Sequence, residues 1–182
     1  MEKPRLRFLD LNLRHIGLSE GVAGGFAEAA CVCLDRHHAP PESFQIVDGE
    51  RFNGVAIADW ATSDTRTKNA WANKDDATRD GAYGIAIATM ELTRGLFAVG
   101  RAEIRTGADY YLGTSNEPRE DYEEAIRLEV SGIDRSDESS MKTRLKQKLT
   151  QLEKGESNLP GIAIVVGFSS AKVLAADQVE PE

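Results

Sequence analysis

Between Gly107 and Gly132 the chain reads GADYYLGTSNEPREDYEEAIRLEVSG, and the strand-like runs Ala108 to Leu112 and Ile126 to Val130 each hold one acid in apolar surroundings. These acids are Asp109 and Glu129. A carboxylate inside a strand is costly to desolvate unless a cation or a set of donors faces it, so two of them on neighbouring strands call for a common partner. Aimed at one point, they would hold Mg²⁺ or Mn²⁺ through oxygen, with water and a substrate phosphate completing the shell. The competing explanation is structural: Asp109 caps the turn after Gly107, and Glu129 pairs with Arg127 or Arg101 on a solvent-facing side.

The rest of the composition limits what such a pair could serve. A chain of 182 residues with 41% hydrophobic content suits one domain with room for a small appended subdomain. Its formal charge of -8 argues against a free-standing, non-specific duplex binder, although a metal-dependent nuclease can be acidic because the ion supplies positive charge locally. No apolar run approaches the roughly 18 residues of a membrane span. The opening MEKPRLRFLD lacks the apolar core of a secretion signal, so a cytoplasmic protein is expected. Cys31 and Cys33 are too close in sequence for an unstrained bridge and read as reduced thiols. With His37 and His38 they sketch a zinc site, yet Cys31 would point away from Cys33 and His37, and no second ligand cluster follows. Buried thiols near a helix C-terminus, with histidines at the negative end of its dipole, account for the same residues.

Several elements must position the acids. Arg5 to Leu13 alternates like a half-exposed strand, Ser19 caps a helix from Val22 to Leu34, and Pro40-Pro41 stops it. Phe44 to Val47 and Val55 to Ala58 read as strands joined at Asp48-Gly49-Glu50, so residues 1 to 60 form a βαββ extension before a core of residues 61 to 182. Ala61 to Lys74 is a polar connection flanked by Trp60 and Trp71, either a flap or a loop pinned by the tryptophans. A helix from Asp75 to Arg94 closes at Gly95, and a strand covers Leu96 to Ile104. Beyond the acid-bearing strands, Ser136 to Ser140 caps a further helix that ends near Lys154-Gly155. Its apolar face holds Met141, Leu145, Leu149 and Leu152, with Lys142, Lys146 and Lys148 beside or opposite it. Gly161 to Phe168 reads as a strand buried on both faces, and the tail after Asp177 as frayed.

From Asp75 onward the order is helix, strand, strand with Asp, strand with Glu, helix, strand. This αβββαβ succession, with the phrases GADYYLG at Gly107 to Gly113 and RLEVSG at Arg127 to Gly132, resembles the core of the PD-(D/E)XK nuclease superfamily over Asp75 to Val173. The resemblance implies an α/β fold of restriction-endonuclease type with a mixed central sheet. It also implies that Asp109 is the metal-binding aspartate, Glu129 the acid of the E-x-K motif, the Val130 carbonyl an accompanying ligand, and Asp80 or Glu91 a further acid on the preceding helix. The activity implied is Mg²⁺- or Mn²⁺-assisted hydrolysis of nucleic acid, DNA first, leaving 5′-phosphate and 3′-hydroxyl ends, in a setting such as bacterial DNA processing or phage defence.

One departure stands out: Ser131 occupies the position where the superfamily has lysine. A hydroxyl brings no cation. Either Lys142, Lys146 or Lys148 supplies it, Lys148 being best placed because it lies seven residues after Met141 and returns to the apolar side of the helix, or the fold has lost its chemistry and serves as a partner-binding scaffold. The acidic balance leads to the expectation of a protein partner or a second copy that supplies basic DNA-binding surface. A third reading leaves both acids in an ion-pair network of a different enzyme; no phosphate-binding glycine loop followed by lysine and no Ser, His and Asp grouping points to a specific one.

Overall fold

The computed structural model describes residues 2 to 179. Its centre is the strand β6 (Gly161–Gly167), GIAIVVG, buried at every position because helices cover both faces of the sheet it occupies. The other strands are β1 (Glu42–Asp48), β2 (Phe52–Ala58), β3 (Phe97–Arg101), β4 (Tyr110–Gly113), β5 (Ile126–Ile133) and β7 (Lys172–Asp177). All seven form one mixed sheet in the order β2-β1-β7-β6-β5-β4-β3, parallel at β5/β6 and β7/β1 and antiparallel elsewhere. The helices are α1 (Glu20–Asp35), α2 (Thr65–Ala70), α3 (Lys74–Arg94) and α4 (Glu138–Lys154). Alternation along β6 sorts the layers: Ile162, Ile164 and Val166 join the core beneath α1 and α3, whereas Val165 packs with Leu174 and Met141 under α4.

Small residues set how closely the helices approach. A Cβ on Gly81 of α3 would lie 2.9 Å from the Ala30 backbone nitrogen, and one on Gly132 of β5 would lie 2.5 Å from the Thr78 carbonyl oxygen. The glycines therefore let α3 press against α1 on one side and β5 on the other. The termini carry their expected caps: Ser19 accepts from the Val22 N–H, Asn73 from Asp75 and Asp76, and Gly95 closes α3 at φ 63°. Asp137 and Ser140 form a reciprocal capping box at the start of α4. Asp137→Ala is expected to shift a urea unfolding curve to lower urea, because the Ser140 N–H loses its acceptor. A shift near zero would show that water replaces the cap.

The N-terminal segment departs from expectation. Arg5 to Leu13 is no strand: Arg5 makes a single parallel bridge to Ile57, and Leu11 to Leu13 form a 3-10 turn after Asp10 at φ 52°. Leu6, Phe8 and Leu11 are nonetheless buried, so the alternation reports core contact without strand pairing. The extension is thus αββ, and β1 lies beside β7, making its ladder continuous with the rest of the sheet. The strand β7 itself is an addition to the expected order. Gln178 is not frayed, since its N–H donates to the Gly161 carbonyl; residues 180 to 182 lie outside the described residues. In the polar connection a short helix, α2, forms, and Trp60 and Trp71 donate to Asp35 and Glu28, which fits a pinned loop. Among the described residues no helix is long and apolar enough to cross a membrane.

Candidate active site

Register decides where the two acids meet. In the antiparallel β4/β5 pair Tyr110 stands opposite Leu128, so Asp109, one residue earlier, comes opposite Glu129 on the same face, with its N–H bonded to the Leu128 carbonyl at 2.8 Å. Just before Asp109 the chain turns away at Gly107, φ 71°, where a Cβ would sit 2.6 Å from the Gln151 carbonyl oxygen. The Val130 N–H therefore lacks a strand partner, and Asp109 Oδ2 accepts it at 2.9 Å. Asp109 Oδ1 accepts from the Tyr83 hydroxyl of α3 at 2.8 Å. Burial and the Asp109 charge together push the Tyr83 phenol well above its ordinary range, so it stays a donor. Arg101 lies 3.7 Å from Oδ1, its guanidinium over the rings of Tyr83 and Tyr110.

Glu129 is only 2% exposed. Its burial, then the negative charge of Asp109, raise its pKa to about 7, against the pull of Lys148, whose Nζ stands 2.6 Å from Oε1. Two residues on, Ser131 Oγ accepts from Arg144 Nη1 at 2.9 Å. The match is geometric: four helical residues rise about 6 Å and two strand residues about 6.6 Å, so Arg144 and Lys148 of α4 fall opposite Ser131 and Glu129 of β5. Beside Glu129 and Ser131, α4 thus delivers two cations.

These groups line a cleft of about 640 Å³ together with Val130, Thr78, Tyr83 and Gln151. Its walls carry four basic residues, Lys74, Arg79, Arg144 and Lys148, against four acids, Asp75, Asp109, Glu129 and Asp134, so it lacks the acidic excess of the whole chain. Asp109, Glu129, Val130, Ser131 and Lys148 come together there. Asp80 does not line it; its carboxylate holds Arg79 at 2.8 Å. Glu91 is taken by Arg14 and His15, about three turns further along α3. Lys142 is exposed and pairs with Glu138 at 3.1 Å, and Lys146 is exposed outside the cleft. The arginine pairings considered for Glu129 do not form either. Arg127 donates to the carbonyls of Thr106, Leu152 and Leu159, while Arg101 approaches Asp109. Tyr83, Arg144, Lys74 and Arg79 were not anticipated. For Arg144 the available signal was its position one helical turn before Lys148.

Among the described residues no cluster of three or more His, Cys, Asp or Glu gathers at one point. Two carboxylates beside a backbone carbonyl still suit Mg²⁺ or Mn²⁺, which take one or two acids and leave the remaining positions to water and phosphate. The zinc arrangement fails. His37 bonds Asp134, His38 bonds the Phe168 carbonyl and pairs with Glu42, and the thiols of Cys31 and Cys33 are pushed up to about 12 and about 11, mainly by burial. Comparison of the chain with protein-family models, curated proteins and solved structures finds no match.

Proposed function

We propose that the chain is a divalent-cation-dependent nuclease, hydrolysing phosphodiester bonds of nucleic acid, DNA first, at the Asp109–Glu129 cleft. The observation that carries this reading is geometric: Asp109 and Glu129 stand opposite one another at the β4/β5 ladder and open on one cleft, Arg101 beside the first acid at 3.7 Å and Lys148 beside the second at 2.6 Å, while burial and the Asp109 charge raise the pKa of Glu129. A bound Mg²⁺ or Mn²⁺ would supply Lewis acidity toward a phosphoryl oxygen and acidify a water. The chain's own residues divide the remaining work. Tyr83 and the Val130 N–H fix Asp109 in one orientation, and Glu129 with the Val130 carbonyl completes the protein's oxygen donors. Lys148 and Arg144, on the wall of the same cleft, are donors for the charge that builds on phosphate oxygens during displacement. Below about pH 7 Glu129 takes a proton and the pair loses one charge, so cation affinity and turnover are expected to fall together as the medium is acidified.

A second reading, a catalytically inactive scaffold that binds a partner, is favoured by one contact. The Lys148–Glu129 pair at 2.6 Å neutralises one acid without any ion, and Ser131 stands where a lysine would be. Two measurements separate the readings: Mn²⁺ titration followed by electron paramagnetic resonance, and cleavage of supercoiled plasmid and single-stranded DNA with Mg²⁺ or Mn²⁺. Each is run on the wild type, Asp109→Asn and Glu129→Gln. The nuclease reading expects ion binding and cleavage in the wild type and loss of both in each variant. A wild type that neither binds Mn²⁺ nor cuts is the scaffold, and cutting that survives both substitutions removes the site.

A further inference from the structure

The acid-pair cleft does not end at its own walls. It shares Lys74 and Asp134 with a groove of about 650 Å³ on one side, and Asp109, Glu129 and Gln151 with a groove of about 640 Å³ on the other. The three hollows are one open trench following α4: the first holds Asp137, its N-cap, and the third holds Lys154, its last residue. The 17 residues of α4 give this path a length of about 25 Å, about seven base-pair steps at 3.4 Å each.

Charge is distributed along it unevenly with respect to the chain. At one end Arg135 and Lys74 are exposed and have no acid partner among the described residues; at the other end the same holds for Arg105 and Lys154. Between them Arg144 is bonded, among the described residues, only to the Ser131 hydroxyl. A protein of charge -8 thus keeps uncommitted cations on both flanks of the acid pair. Stacking surface is scant: among the described residues the lining holds two aromatic rings, Tyr83, which is buried, and His37, which is half-buried and bonded to Asp134, so bases splayed from a single strand would find little ring surface to rest on.

Resting on the nuclease reading, we propose that this trench holds a nucleic-acid duplex by its phosphates, independently of sequence, on both sides of Asp109 and Glu129, so that the cut is internal to the strand. The trench makes a partner's basic surface unnecessary for substrate binding. Cations at both ends clamp the backbone, and the acid pair meets it between them, nearer the Lys154 end.

The test measures binding in EDTA, where no cleavage intervenes, by fluorescence anisotropy of a labelled mixed-sequence duplex and of an oligo-dT strand of equal length. The whole chain is compared with Lys74→Glu/Arg135→Glu at one end, Arg105→Glu/Lys154→Glu at the other, and Lys142→Glu/Lys146→Glu outside the trench. Each end pair is expected to weaken duplex binding about tenfold or more at low salt and to flatten its salt dependence, while the outside pair changes it less than about twofold. Loss from one end only overturns the internal cut, and loss from neither overturns the trench. Tighter binding of oligo-dT than of duplex overturns the duplex assignment. Binding as described in a wild-type chain that never cuts with Mg²⁺ or Mn²⁺ upholds the trench and defeats the nuclease reading alone.

Discussion

Glu129→Gln is expected to melt higher than the wild-type chain at about pH 8, by about 5 °C, corresponding to about 2 kcal/mol. The sign follows from where Glu129 sits. Its carboxyl titrates at about 7 in the fold against an ordinary 4.5, because burial and the facing Asp109 outweigh Lys148. A folded pKa raised in this way gives a contribution to stability that is fully present below about 4.5 and is lost as pH rises through about 7. Above that, the fold carries a buried charge at a cost of about 3 kcal/mol, a difference of about 2.5 pKa units. An amide at the position carries no charge, can donate to Asp109, and leaves Lys148 free to reach water, since that side chain is 21% exposed. The gain should vanish near pH 5, where the wild-type carboxyl is already protonated, so the comparison is a pair of thermal melts across that interval. Mn²⁺ should raise the melting temperature of the wild type at the alkaline end and leave the variant unmoved. A variant that melts lower than the wild type at pH 8 would mean that the Lys148 contact is a net structural link, and the acid pair would then have no strain for a cation to relieve.

That strain is what made part of the site legible. Asp109 and Glu129 stood out because each interrupts an apolar strand, and Lys148 because seven residues from the buried Met141 is two helical turns. Arg144 was not separable in the same way: Lys142, Arg144, Lys146 and Lys148 alternate along one helix, and only the register of α4 against β5 sets Arg144 over Ser131 while leaving Lys142 and Lys146 in solvent. Tyr83 escaped because a phenol among the alanines of α3 reads as core, and its hydroxyl matters only once Asp109 is opposite. The same limit governed the fold. Long periodic elements such as α3 and α4 could be read to within a few residues, since caps and apolar spacing agree. The strand β7, KVLAAD, is short and rich in alanine, and it is a strand because β6 and β1 offer edges on both sides. Arg5 to Leu13 has the converse history: its spacing is that of a strand, but after the single bridge at Ile57 the chain leaves the β2 edge and fills the core as a loop.

Arg127→Met is expected to lose about 4 kcal/mol or more, enough to leave a domain of ordinary stability marginal. Arg127 is 1% exposed, and among the described residues its guanidinium meets no carboxylate. It donates instead to four neutral acceptors: the carbonyls of Leu159 at 3.0 Å, Thr106 at 2.6 Å and Leu152 at 3.0 Å, and Gln178 Oε1 at 2.7 Å. Those oxygens belong to the loop entering β6, the turn before β4, the last turn of α4 and the residue that follows β7, so one side chain ties the β6/β7 end of the sheet to α4 and to the turn before β4. Burial lowers its pKa, yet the planar fork of donors keeps the cation solvated by dipoles. Methionine fills much of the volume but strands the Thr106 and Leu159 carbonyls in a dry space, at about 1 to 3 kcal/mol each, while the Leu152 carbonyl keeps only the Gly155 N–H. Lysine should rescue little of this, because one ammonium at the end of a flexible stem cannot face acceptors set around a plane. Urea unfolding of both variants measures the loss, and a value under about 1 kcal/mol for the methionine variant would mean that water enters and serves the same oxygens. The effect should also reach the cleft. Thr106 leads directly into Gly107 and Asp109, so freeing its carbonyl loosens the turn that carries the acid opposite Glu129, and any folded fraction of the variant should hold Mn²⁺ more weakly than the wild type while its Glu129 and Lys148 remain in place.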